Sequence, residues 1–170
     1  MGSSHWFNLA IVGAYLIGER QASAAQRQND ANVQAREQAR RLAYIEIGRV
    51  AMDAAREYNE SFEAGSTGSL LLSLTASPGR LLDAADALKQ IPLHEVGSAE
   101  AISAIAGLRA TLLSLEDKMA ALTAALRSAG DRGSKESRDA YPYAHEMRGL
   151  IRHAEHQFAR LESALNGSNA

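Results

Sequence analysis

Apolar and polar positions divide the first third of the chain into three stretches. Trp6 to Gly18 is a run of thirteen residues without a charge, and Glu19 to Arg41 is polar and alanine-rich with Val33 its only large aliphatic side chain. From Leu42 the spacing turns periodic: Ala43, Ile47, Val50, Ala54, Tyr58 and Phe62 recur at three- and four-residue steps, one face of an α-helix. No proline interrupts residues 6–63, and Gly13, Gly18 and Gly48 are the only glycines there. The pattern predicts a single long helix from Trp6 to Glu63.

Punctuation and periodicity predict three further helices. Gly65-Ser66-Thr67-Gly68-Ser69 closes the first, because glycine adopts the left-handed conformation of a helix end at little cost. Leu70 to Leu74 opens a second, which Ser77 as N-cap and Pro78 at the first helical position restart. Its inner face is Leu81, Leu82, Ala85 and Leu88, and Pro92 stops it. Ser98 caps a third helix in which Ile105, Leu108, Leu112, Leu115, Met119, Leu122 and Leu126 keep an unbroken three-four spacing, up to Gly130 and Gly133. The fourth begins near Ser134 or just after Pro142 and carries Met147, Ile151, Ala154, Phe158, Leu161 and Leu165.

Four apolar stripes on short connections predict an all-α antiparallel four-helix bundle, extended at its N-terminus through a polar stalk into a short apolar anchor. The expected organisation is an anchor over 1–18, a helical stalk over 19–41, a bundle over 42–165 and a tail over 166–170. The expected core comprises Ile47, Val50, Leu108, Leu112, Leu115, Met119, Leu122, Met147, Ile151, Phe158 and Leu161. Gly48, Gly107 and Gly149 lie inside predicted helices, where each costs about 1 kcal/mol against alanine, and close helix approach explains their presence. The same spacing is a coiled-coil signal, so a homo-oligomer or a helical protein partner is expected.

Composition narrows the class. The 170 residues are 46% hydrophobic but 5% aromatic, which favours helices over sheets. With 18 basic and 20 acidic residues the net charge is -2, so no global field attracts nucleic acid, and none is expected as a partner. The chain has no cysteine, which removes disulfides, thiol catalysis and thiolate metal sites.

Three readings compete for the apolar run. As a membrane anchor it is short, since a full span wants about 20 residues, but Trp6 sits at one end, where an interfacial aromatic belongs. Ala10, Ala14 and Gly18 also recur every four residues, a small-residue face on which membrane helices associate. As a signal peptide it would be cut near Ala24, after the small residues of Ala22-Ser23-Ala24, giving a secreted product, although Met1 to His5 carries no Lys or Arg. As a core or oligomer-contact helix it would be buried in protein. Met1-Gly2-Ser3-Ser4-His5 is also similar to the opening of an expression tag. The anchor is the preferred reading. Arg20, Arg27, Arg36, Arg40 and Arg41 follow the run and nothing basic precedes it, which predicts a bacterial inner-membrane protein with its bundle facing the cytoplasm.

Chemistry-bearing residues gather on the last helix: His145, Arg148, Arg152, His153, Glu155 and His156. Arg148-Gly149-Leu150-Ile151-Arg152-His153 resembles the R-x4-H signature of the HEPN ribonucleases, themselves small helical bundles, although Gly149 stands where that family commonly has a polar residue. The resemblance implies that Arg148 would stabilise phosphate charge and His153 would act as acid or base on RNA. These residues avoid the Met147–Leu165 stripe, so a solvated helix face is the preferred account of them. No metal site and no cofactor is expected: His153 and His156 share a face without a third ligand beyond Glu155, and no glycine-rich phosphate loop or nucleophile elbow is present. His94-Glu95, between Pro92 and Gly97, reads as helix-cap chemistry.

The opening of the chain, from the apolar run through Gly18-Glu19-Arg20-Gln21-Ala22-Ser23-Ala24-Ala25-Gln26-Arg27-Gln28-Asn29, resembles internal virion or ejection proteins of tailed phages. It is equally similar to small bacterial proteins with one N-terminal span and a cytoplasmic domain. The expectation for function is a membrane-tethered helical bundle that acts by protein-protein contact, as scaffold, sensor or adaptor, without catalysis. A HEPN-like ribonuclease and a phage internal protein are the alternatives.

Overall fold

In a computed structural model the described residues are 3–63, 79–129 and 136–167, with side chains placed at 19–57, 79–122, 124 and 145–167. They are all-helical: α1 is Ser3–Glu63, α2 is Arg80–Lys89, a 3-10 turn covers Leu93–Glu95, α3 is Ala99–Ala129 and α4 is Glu136–Asn166. No strand occurs among them. The chain divides into two compact units, Met1–Leu42 and Ala43–Ala170.

The first unit consists of the N-terminal part of α1. Every residue from Glu19 to Arg40 is exposed, because alanine, glutamine and arginine in this order present no continuous apolar face to cover. Among the described residues no helix is long and apolar enough to cross a membrane. Thirteen apolar residues rise only about 20 Å against a hydrocarbon core of about 30 Å, and Glu19 and Arg20 follow at once.

The second unit holds the core. On α3 the residues Ile105, Leu108, Leu112, Leu115, Met119 and Leu122 are all buried, and on α4 so are Met147, Ile151, Ala154, Phe158, Leu161 and Leu165. The three-four spacing does this by returning each side chain to the same face of its helix. Leu126, Tyr58 and Phe62 belong to expected stripes whose side chains lie outside the described residues.

The stripe on α1 differs from the expected one. Val50 is 58% exposed, Ala43 is exposed and Ile47 is only half-buried, whereas Tyr44, Ile45, Ala51, Met52, Ala54 and Ala55 are buried. The inward face therefore centres on Gly48 rather than on the larger aliphatics. A Cβ at Gly48 would stand 3.0 Å from Phe158 and Leu161 of α4, so the helices meet where α1 is smallest, and β-branched Val50 turns outward. Ion pairs flank this contact, Arg49–Glu162 at 3.8 Å and Arg56–Glu155 at 3.5 Å. All four side chains are more than one-third exposed, so the pairs set register more than stability.

Helix α2 begins at Arg80. Gly79 precedes it at φ 85°, and its carbonyl accepts the Asp83 N–H at 2.8 Å. Ser77, Pro78 and the glycine-serine segment 65–69 lie outside the described residues, as do Leu70–Leu74, Gly130 and Gly133. Leu81, Ala84, Ala85 and Leu88 face inward, while Leu82 is 43% exposed. The helix ends before Pro92, and Gly97 at φ 70° leads to Ser98, whose Oγ accepts the Ala101 N–H at 3.2 Å as the expected N-cap. Helix α4 starts at Glu136, with Pro142 inside it.

Two glycines separate close approach from mere presence. Gly149, exposed on α4, has nothing within 4 Å of a built Cβ, so its side-chain-free position carries only the entropic cost. Thermal or urea unfolding should show Gly149→Ala stabilising by about 1 kcal/mol. Gly48→Val should instead destabilise by about 1–3 kcal/mol through overpacking against Phe158 and Leu161. Equal effects at both sites would refute the contact.

Candidate functional site

The strongest sequence candidate is the polar face of α4. His145, Arg148, Arg152, His153, Glu155 and His156 are all exposed, on the side of α4 away from the Met147–Leu165 stripe. Arg148 and His153 are five residues apart, which on an α-helix places them about 140° around the axis and about 7.5 Å along it. The two side chains therefore diverge. A guanidinium and an imidazole that share one phosphate must converge on it, and the chain's own α4 does not bring these two together.

The neighbours of His153 are structural in character. Its Nε2 lies 3.3 Å from Gln157 Nε2, and Gln157 Oε1 accepts from Arg160 Nη1 at 3.2 Å. Gln157 is buried, at 7% exposure, and faces α3: a Cβ at Gly107 would come within 2.9 Å of its amide. Thr111, also buried, donates its hydroxyl to the Gly107 carbonyl at 2.8 Å. Gly107 thus opens room for a polar side chain at the α3–α4 contact, and Gln157 is fixed there by bonds to its own helix. Sequence reasoning missed Gln157 because it read the inward face of α4 for apolar residues only and placed the polar residues on the outer face; the available signal was a helix-internal glycine opposite a three-four position.

Elsewhere the described residues bring together little chemistry. No group of three or more His, Asp or Glu side chains could hold a metal ion among them. His94 and Glu95 pair at 3.7 Å within the 3-10 turn. A depression of about 440 Å³ lies along α1, lined by Glu19, Arg20, Ser23, Ala24 and Arg27, and includes neither Arg148 nor His153. Ala10, Ala14 and Gly18 have their backbone in α1, but their side chains lie outside the described residues.

Among the described residues one titratable group is perturbed by the fold. Burial on α3 pushes the Glu116 carboxyl above its ordinary value of 4.5, and the adjacent Asp117 charge adds to this. Because the folded protein holds that proton more tightly than the unfolded chain, the group favours folding at low pH. That contribution is lost as pH rises through the raised value. Glu116→Gln should therefore raise the melting temperature at pH 7, with the advantage over the native chain shrinking toward pH 4.5. An advantage that persists unchanged at acid pH would show that the carboxylate is not desolvated.

Searches against family models, curated proteins and solved structures find no match to this chain.

Proposed function

We propose that the chain is a non-catalytic helical protein that works by binding other protein surfaces. In this reading residues 42–165 form an antiparallel four-helix bundle, and the apolar run Trp6–Gly18 attaches the molecule to a membrane surface. The observation that carries it is how the second unit uses its burial. The inward positions from Leu108 to Leu122 and from Met147 to Leu165 are apolar except for Thr111 and Gln157, while His145, Arg148, Arg152, His153, Glu155 and His156 spread over the exposed face of α4. Such a body offers surface rather than a pocket. The apolar run is too short to cross, so it dips into one leaflet, with Trp6 at the headgroup level. The arginines from Arg20 to Arg41 then stay on the cytoplasmic side, and the exposed length of α1 that follows is available for self-association.

Two measurements test the reading. In flotation with phospholipid vesicles the full chain should rise with lipid, and Ile11→Asp with Leu16→Asp should cut the bound fraction at least tenfold; equal flotation removes the attachment. Incubated with RNA, the purified chain and its His153→Ala variant should both leave the substrate intact. Degradation that disappears in His153→Ala would transfer the case to the ribonuclease that Arg148 and His153 resemble.

A further inference from the structure

We infer that residues 21–42 of α1 pair with the same residues of a second copy, in parallel and in register. This deepens the proposed reading and rests on it, by naming the partner of the exposed length of α1. Gln21, Ala24, Gln28, Ala31, Ala35, Gln38 and Leu42 follow an alternating three-four spacing, which keeps them on one face of the helix. Eight charges lie between Glu19 and Arg41, and none falls on this face. The residues to Arg40 are exposed, and Leu42 is 58% exposed, so no described residue covers it. A helix of this composition gains its stability mainly by packing a face, and no packing is supplied here from within the first unit.

The flanks of that face select the occupant and its direction. One flank carries Arg20, Arg27, Gln34 and Arg41; the other carries Ala25, Asn32 and Ala39. Two copies laid parallel set the arginine flank of each against the small, uncharged flank of the other, where the arginine stems cover alanine and the guanidinium groups reach water. Antiparallel copies would set arginine flank against arginine flank, with Arg20 near Arg41 of the second copy, and like charges so placed repel. Parallel register also places Gln21, Gln28 and Gln38 each beside its own equivalent. A side-chain amide carries both donor and acceptor, so such layers bond across the pair and penalise slipped registers. Alanine at the intervening layers lets the backbones approach closely.

The absence of native cysteine makes the test direct. In full-length protein with oxidised glutathione, Gln21→Cys and Gln38→Cys should each form a disulfide-linked dimer, since equivalent core positions of a parallel pair lie within bridging distance. Ser23→Cys, on the outer face, should form at least fivefold less. Light scattering should give twice the 18.2 kDa chain mass, and Ala31→Glu should halve it without shifting the unfolding of the second unit. Cross-linking only in a mixture of the Gln21→Cys and Gln38→Cys proteins would mean antiparallel pairing and overturn the inference. So would the absence of cross-links at both positions, or a native chain that scatters as a monomer. Loss of vesicle flotation with cross-linking intact would instead overturn the attachment and leave the pairing standing.

Discussion

The second unit depends on α4 meeting its neighbours at points where they have no side chain. Phe158 and Leu161 lie over Gly48 of α1, and Gln157 lies over Gly107 of α3. A bulky side chain over a glycine keeps the interior packed, since the volume missing on one helix is supplied by the other. Without those two vacancies the inner stripe of α4 would ride on Cβ atoms, and the contacts on both sides would open together. The flanking ion pairs then act on a geometry already fixed by shape, which suits their exposure.

That constraint explains which parts of the fold were legible in the sequence. The apolar stripes of α3 from Ile105 to Leu122 and of α4 from Met147 to Leu165 are buried as expected, because leucine and methionine at three-four spacing leave a single inward face. α1 was read one residue out of phase. The expected stripe steps through Val50 and Ile47, whereas the buried face runs through Tyr44, Ile45, Gly48, Ala51, Met52 and Ala55, and a rule that ranks positions by hydrophobicity passes over Gly48 and the alanines. A face built for close approach advertises itself by smallness. The start of α2 was misplaced for a related reason: Ser-Pro is a strong local signal, but the backbone enters the helix through Gly79.

The candidate site was legible as a cluster and not as a site. Six polar residues within one helix can look convergent along the sequence, yet a 3.6-residue period distributes neighbours around the axis. Arg148 and His153 satisfy a spacing without sharing a side, and His153 lies instead against the amide of the buried Gln157. What the sequence concealed was the polar group turned inward, Gln157, whose partner signal sat fifty residues upstream at Gly107. Inward polar groups are recognised by the room made for them on another element, and one helix read alone cannot show that.

The two glycines that bracket α2 lead to a different kind of constraint. Gly79 and Gly97 both have positive φ, yet beyond their chain neighbours no described residue comes within 4 Å of where a Cβ would stand. Space is therefore no obstacle at either position, and handedness is the whole obstacle. A mirror-image alanine would fit each turn as comfortably as the glycine does, and would leave the unfolded chain fewer conformations to lose.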